Sequence, residues 1–144
     1  MKEIAVELRS LSNLVMRAVE QRAREHSGDL ITGMNGWIIC YILQSADCEV
    51  YQRELEEAFS ITRSTASRIV NLMQKKGIVE RRTAEHDARM LKIALSDKAM
   101  ALAHRMDSES EQVGRMLVRD FAPAEIDQLN HYIERMKQNM RDED

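Results

Sequence analysis

A chain of 144 residues with 44% apolar and 31% charged residues fits one domain, or one compact domain with helical extensions, and is too apolar to stay disordered. One Pro and five Gly leave little room for an all-β fold, two cysteines are too few for a disulfide scaffold, and no apolar run is long enough to span a bilayer. The formal net charge of −3 conceals an asymmetry: residues 63–92 hold eight Lys or Arg against three acids, a balance of +5, and the remainder stands at −8.

The first residues, MKEIAVELRSLSNLV, carry acids and an early polar break, so they do not read as a signal peptide, and a cytoplasmic location is expected. From Ile4 onward Ile4, Leu8, Leu11, Val15 and Ala18 recur at helical spacing and predict an amphipathic helix over residues 3–26. Ser27 and Gly28 break it. Thr32 suits the N-cap of a second helix, whose run WIICYIL (Trp37–Leu43) is apolar on nearly all sides and so belongs in a core. After the interruption SADCE, the stretch VYQRELEEAFSI predicts a short helix with Leu55, Ala58 and Phe59 facing inward.

Thr62 can cap the next helix, and Gly77 stands where a left-handed C-terminal residue is favoured. Ala66, Ile69, Val70 and Met73 share one face of it, while Arg63, Ser64, Ser67, Arg68, Asn71 and Lys75 share the other. Beyond Gly77, IVERRT and RMLKIALS read as strands, since Leu91, Ile93 and Leu95 alternate with Met90, Lys92 and Ala94. The five residues Ala84–Ala88 join them without a glycine, so the hairpin rests on its strands rather than on turn chemistry. Ser96 then caps a long helix from about Asp97 to Asp120, with Ala99, Leu102, Ala103, Met106, Val113 and Leu117 as its apolar positions. Pro123 stops it and suits the first turn of a last helix. There Ile126, Leu129, Ile133, Met136 and Met140 have the spacing of a packed helix–helix seam.

A short helix followed after Ser60–Ile61 by a basic, hydroxyl-rich helix is the helix-turn-helix arrangement, and a hairpin directly behind it makes a winged version. A helix that enters the DNA major groove needs an apolar face anchoring it to the body. Its outer face needs short polar side chains and Arg near the N-terminus, where the helix end also favours phosphate. The alternative is a winged-helix protein–protein interaction module whose basic face is merely solvated.

The stretch YQRELEEAFSITRSTASRIVNLMQKKGIVERR, followed by EHDARMLKIALSDKA, is similar to the MarR family of winged helix-turn-helix transcriptional regulators. STASRIVNLMQKKGIVER resembles the family's recognition helix and its exit into the wing, Asp87–Arg89 its wing Asp-x-Arg, LSDKA the strand end, and LITGMNGWIICYIL its second helix. The likeness covers about residues 30–100 closely. It implies a mainly α fold: a winged helix-turn-helix domain, three helices plus a β-hairpin wing, flanked by N- and C-terminal dimerisation helices. The divisions are then residues 1–30 (dimerisation helix), 31–96 (DNA-binding domain) and 97–144 (connecting and dimerisation helices).

The resemblance further implies a sequence-specific regulator, a ligand-responsive repressor that binds a pseudo-palindromic operator as a homodimer. Ser64, Thr65, Ser67 and Arg68 would then face the major groove, with Arg63, Asn71 and Lys75 nearer the backbone. Arg89 would reach the minor groove with Asp87 holding it, and His86 and Arg82 would lie beside phosphates. Apolar surface at Ile4–Ala18 and Ile126–Met140 is available for a second copy, the alternative being packing within the chain. Family members often take small aromatic or phenolic compounds, and Met16, Met34, Trp37 and Tyr41 are the candidates to line such a site.

Cys40 reads as a small core residue, and Cys48 as a thiol whose reactivity depends on a nearby positive group. Oxidant-sensing relatives commonly carry a cysteine in the first helix, and this first helix has none. His26, His86, His104 and His131 show no metal-ligand spacing, and most of the ten methionines fall at helical core positions. No nucleophile elbow, phosphate loop or metal motif is present, so neither an enzyme nor a cofactor is expected.

Overall fold

The computed structural model describes residues 3–27, 34–45 and 49–143. Thr32 and Cys48 lie outside the described residues, as does most of the stretch leading into the second helix. In chain order the elements are α1 (Ile4–Ser27), α2 (Asn35–Gln44), β1 (Val50–Tyr51), α3 (Gln52–Phe59), α4 (Arg63–Lys75), β2 (Val79–Thr83), β3 (Leu91–Leu95), α5 (Asp97–Leu117) and α6 (Pro123–Arg141). The mainly helical winged fold read from the sequence is the observed one. Among the described residues no helix is long and apolar enough to cross a membrane.

The chain divides into two compact units, Met1–Val113 and Gly114–Asp144. In the first, one core gathers Ala23 from α1, Ile38, Ile39, Cys40 and Ile42 from α2, and Leu55 from α3. Val50 from β1, Ile69, Val70 and Met73 from α4, Ile78 ahead of β2, Val79 from β2, Ile93 and Leu95 from β3, and Ala99, Ala103 and Met106 from α5 complete it. Ile38, Ile39, Leu55 and Met73 are almost wholly buried, and each such side chain contributes roughly 1.5–3 kcal/mol of transfer free energy. The near-uniform apolarity of α2 is thus explained by burial on most sides. In the second unit α6 begins with Pro123 in its first turn and buries no residue.

Three details depart from the sequence reading. Val50–Tyr51 is a strand, not the start of a helix, and the sheet is three-stranded and antiparallel in the order β1-β3-β2. Val50 pairs with Ile93 and Tyr51 with Lys92, so a two-residue strand, too short to show a period, is held by a partner more than forty residues away. Ala58 is exposed, leaving Leu55 and half-buried Phe59 as the inward residues of α3. The last turn of α5 ends at Leu117, three residues short of Asp120.

Candidate nucleic-acid interface

Helix α4 is closed at both ends by its own sequence. The Thr65 backbone N–H donates to Thr62 Oγ1 at 3.2 Å, a side-chain cap for a donor that would otherwise lack a partner. At the other end Gly77 takes φ +73°, and the Ile78 N–H returns to the Met73 carbonyl at 2.9 Å. Ser60, at φ 51°, makes the tight turn from α3, its N–H reaching the Glu57 carbonyl at 3.4 Å. The apolar residues Ala66, Ile69, Val70 and Met73 are buried against the core. Arg63, Ser64, Arg68, Asn71 and Lys75 are exposed, and Thr65 and Ser67 half-buried at the rim. The two faces read from the periodicity are therefore both present.

The wing is built on β2 and β3, paired from Val79↔Leu95 to Thr83↔Leu91. Its loop runs from Ala84 to Met90, two residues longer than the sequence reading, and the Ala84 N–H closes it on the Met90 carbonyl at 2.9 Å. The missing glycine is replaced by Asp87. Its Oδ1 accepts the Arg89 backbone N–H at 2.9 Å, a turn made by a side chain. The same carboxylate accepts from Arg89 Nε at 3.2 Å, so Asp87 shapes the loop and aims the guanidinium together. These bonds, the backbone one foremost, hold the Asp87 carboxyl below the usual carboxylate range. The Arg89 side chain remains 90% exposed, free to meet a ligand.

Arg63 at the start of α4 and Arg89 on the wing line one open groove, together with Gln52, Arg53, Met90 and Leu91. The N-terminal end of α4 and the wing tip thus face a shared space, and Gln52 and Arg53 belong to it although nothing in their spacing marked them. Arg82 projects from the wing and pairs with Glu80 at 2.6 Å, two residues away on the same face. His86 stands apart from α4: its ring lies edge-on to Tyr51 (6.2 Å, 88°), with Nδ1 3.9 Å from Glu49. Asn71 accepts a hydrogen bond from Arg81, a residue the sequence reading passed over.

The four residues considered for a small ligand separate. Trp37 lines a small cleft with Val19, Ala23, Cys40, Met106 and Val113. Arg22 and Glu109 border it as an ion pair at 3.5 Å. Met16 meets Trp37 from α1, its sulfur accepting the indole N–H at 3.3 Å. Met34 and Tyr41 instead pack on the core, Tyr41 edge-on to Phe59 at 5.8 Å. Cys40 is buried, and burial, followed by the Asp107 charge, pushes its thiol up to about 11, which leaves it an inert core residue at neutral pH.

The family model for MarR matches residues 31–90, the span that holds α2, the helix-turn-helix and most of the wing. The transcription regulator MarR from Oenococcus oeni PSU-1 superposes with a TM-score of 0.85 at 26% identity, over 94% of this chain and 99% of that one. Over residues 31–90 the chain is similar to the MarR family, and its fold is that of a MarR-family transcription regulator. Two further structures share its fold. One is an S. aureus MepR–DNA complex, with TM-score 0.82, 18% identity and coverage of 96% and 99%. The other is a MarR-family regulator from Listeria monocytogenes complexed with 26mer DNA, with TM-score 0.79, 19% identity and coverage of 99% and 92%.

Proposed function

We propose that this chain is a MarR-family regulator that binds a pseudo-palindromic operator in duplex DNA as a homodimer and acts as a cytoplasmic repressor released by a small ligand. The observation that carries the proposal is α4 itself. It is capped by Thr62, anchored by four buried residues, and presents Arg, Ser, Thr and Asn outward beside a wing whose arginine is aimed by Asp87. In that role Ser64, Thr65, Ser67 and Arg68 meet base edges, and Arg63, Asn71 and Lys75 meet the backbone. Arg89 enters the minor groove while Arg82 and His86 lie along phosphates. MepR and the Listeria regulator, which share the fold, have been captured on DNA.

Two recognition helices reading adjacent half-sites must stand about one helical turn apart, roughly 34 Å, and a second copy supplies that spacing. Exposed apolar residues support the pairing: Ile4, Leu8, Leu11 and Leu14 along α1, and Tyr132 and Met140 on α6. On this reading residues 1–30 and 97–144 are dimerisation elements around the DNA-binding segment 31–96. The cleft beside Trp37 is the place for an aromatic or phenolic effector, since it is apolar, bordered by the Arg22–Glu109 pair, and set between α1, α2 and α5.

Selection of bound sequences from random duplex DNA with the purified protein tests the proposal. A palindromic consensus, bound with a steep salt dependence from counterion release, is the expected result. Absence of enrichment overturns it and leaves the winged helix as a protein-interaction module.

A further inference from the structure

Residue 81 occupies a position where strand alternation asks for an apolar side chain. On β2 it follows buried Val79 by two residues, and its partner across the ladder is buried Ile93. Arg stands there instead, half-buried, and its guanidinium reaches three side-chain amides on two helices. Nη1 donates to Asn71 Oδ1 and, at 3.3 Å, to Gln74 Oε1, both on α4. Nη2 donates to Gln52 Oε1, at the first residue of α3, at 3.4 Å. Asn71 and Gln74 are three residues apart and so adjacent on one face of α4. The neighbouring Arg82 turns the other way and pairs with Glu80.

The three acceptors are neutral, so the arrangement is one of geometry rather than of charge pairing. A planar fork spreads fixed donors over two terminal nitrogens and so reaches acceptors on both helices at set angles, whereas the three donors of a lysine rotate about a single nitrogen. Strand β2, helix α3 and helix α4 are thereby joined at one point on the side of α4 facing the wing. The consequence for readout follows from helix dimensions. Turning α4 by about 10° around its axis moves a side-chain tip, at roughly 5–6 Å radius, by about 1 Å. Hydrogen bonds to base edges tolerate only a few tenths of an ångström.

We infer that Arg81 is a positioning residue for sequence discrimination. It sets the rotation of α4 against α3 and the wing, so that the side chains from Ser64 to Arg68 and the Arg89 guanidinium address one duplex in register. The inference rests on the DNA-binding reading above.

The test uses the full chain, with Arg81→Lys and the second variant Gln74→Ala. Affinity is measured across a salt series for the duplex enriched by selection and for an unrelated duplex of equal length, alongside thermal unfolding. Arg81→Lys preserves the charge, so affinity for the unrelated duplex and the salt slope are expected to match the parent. The ratio of operator to unrelated affinity falls by about tenfold, the scale of one misaligned base contact. Gln74→Ala changes no charge and lowers the same ratio by a smaller factor; if Arg81→Lys does not fold, this variant alone decides. A ratio equal to the parent's in the folded variants overturns the role. So does an equal loss on both duplexes with a shallower salt slope, which would make Arg81 a phosphate contact. A parent that discriminates among no duplexes sinks the DNA-binding reading, and this role with it; a discriminating parent matched by its variants sinks the role alone.

Discussion

Helix α4 buries Ala66, Ile69, Val70 and Met73 within its own unit, whereas α6, with an apolar stripe of similar spacing, buries nothing. Ile126, Leu129, Ile133 and Met136 on α6 are half-buried, and Met140 is 70% exposed. Helix α1 shows both behaviours in sequence: Ile4 is 63% exposed and Leu11 exposed, while Val19 and Ala23 are buried. A stripe at helical spacing reports that a helix needs an apolar partner. It does not report whether the partner is the same chain or another. That distinction comes only from seeing which stripes the fold has already covered.

The largest expected effect tests the covered side. Met73 is fully buried, and Met73→Ala should cost about 2–5 kcal/mol in chemical denaturation, from lost transfer energy and a residual cavity. An unchanged denaturation midpoint would mean that α4 is not anchored as described. The uncovered side is tested by Ile133→Asp, which places a charge in the α6 stripe. In sedimentation equilibrium it should weaken self-association by about 2 kcal/mol or more, with operator binding lost in step. A dimer of parental affinity would show that α6 does not carry the interface.

How far the molecule was legible follows the same line. The α4 faces, its Thr62 cap, the Gly77 stop and the Ser96 start were readable because local chemistry decides them. The Ser96 hydroxyl accepts from the Ala99 N–H at 3.2 Å and donates to the Gly77 carbonyl at 2.6 Å, so one residue caps α5 and ties it to the end of α4. Strand β1 was not readable, because two residues held by a distant partner leave no period. Nor was Arg81, whose importance lies in which amides surround it rather than in any spacing. The Asp87 turn was half legible: the Asp-x-Arg pair was visible as an ion pair, but its use as the loop's bend was not. Helix ends extend the contrast between α4 and α6 at a smaller scale. Thr62→Ala removes a side-chain cap and should cost about 1 kcal/mol. Helix α6 has only Glu125 reaching back to the Ala122 N–H at 2.7 Å, so Glu125→Ala should cost less in the same denaturation assay.

The smallest effect separates the wing from α4 by its response to pH. The apolar anchor of α4 contains no titrating group, but the base of the wing is held by Glu49. Its carboxylate accepts from the Tyr51 hydroxyl and from Lys92 Nζ at 3.2 Å, with His86 Nδ1 3.9 Å away. The Tyr51 bond first, and the Lys92 bond second, hold the Glu49 carboxyl below its ordinary value of 4.5, and the Glu49 bond in turn pushes the Tyr51 hydroxyl up to about 12. A carboxylate depressed in the folded state contributes stability that is present above its unfolded value and is lost as pH falls through its folded value. The window therefore opens at about 4.5 and extends into stronger acid. Because the Glu49 side chain is still 37% exposed, solvent screens the contribution, and the wing should loosen in acid without the domain unfolding. Amide exchange in β1 and the Ala84–Met90 loop should then accelerate below pH 4.5 relative to α4. Tyr51→Phe keeps the ring beside His86 but removes the hydroxyl, so the Glu49 carboxyl titration followed by NMR should move up toward its ordinary value. A Glu49 midpoint that stays in place would assign the depression to Lys92 instead and take Tyr51 out of the hold on the wing.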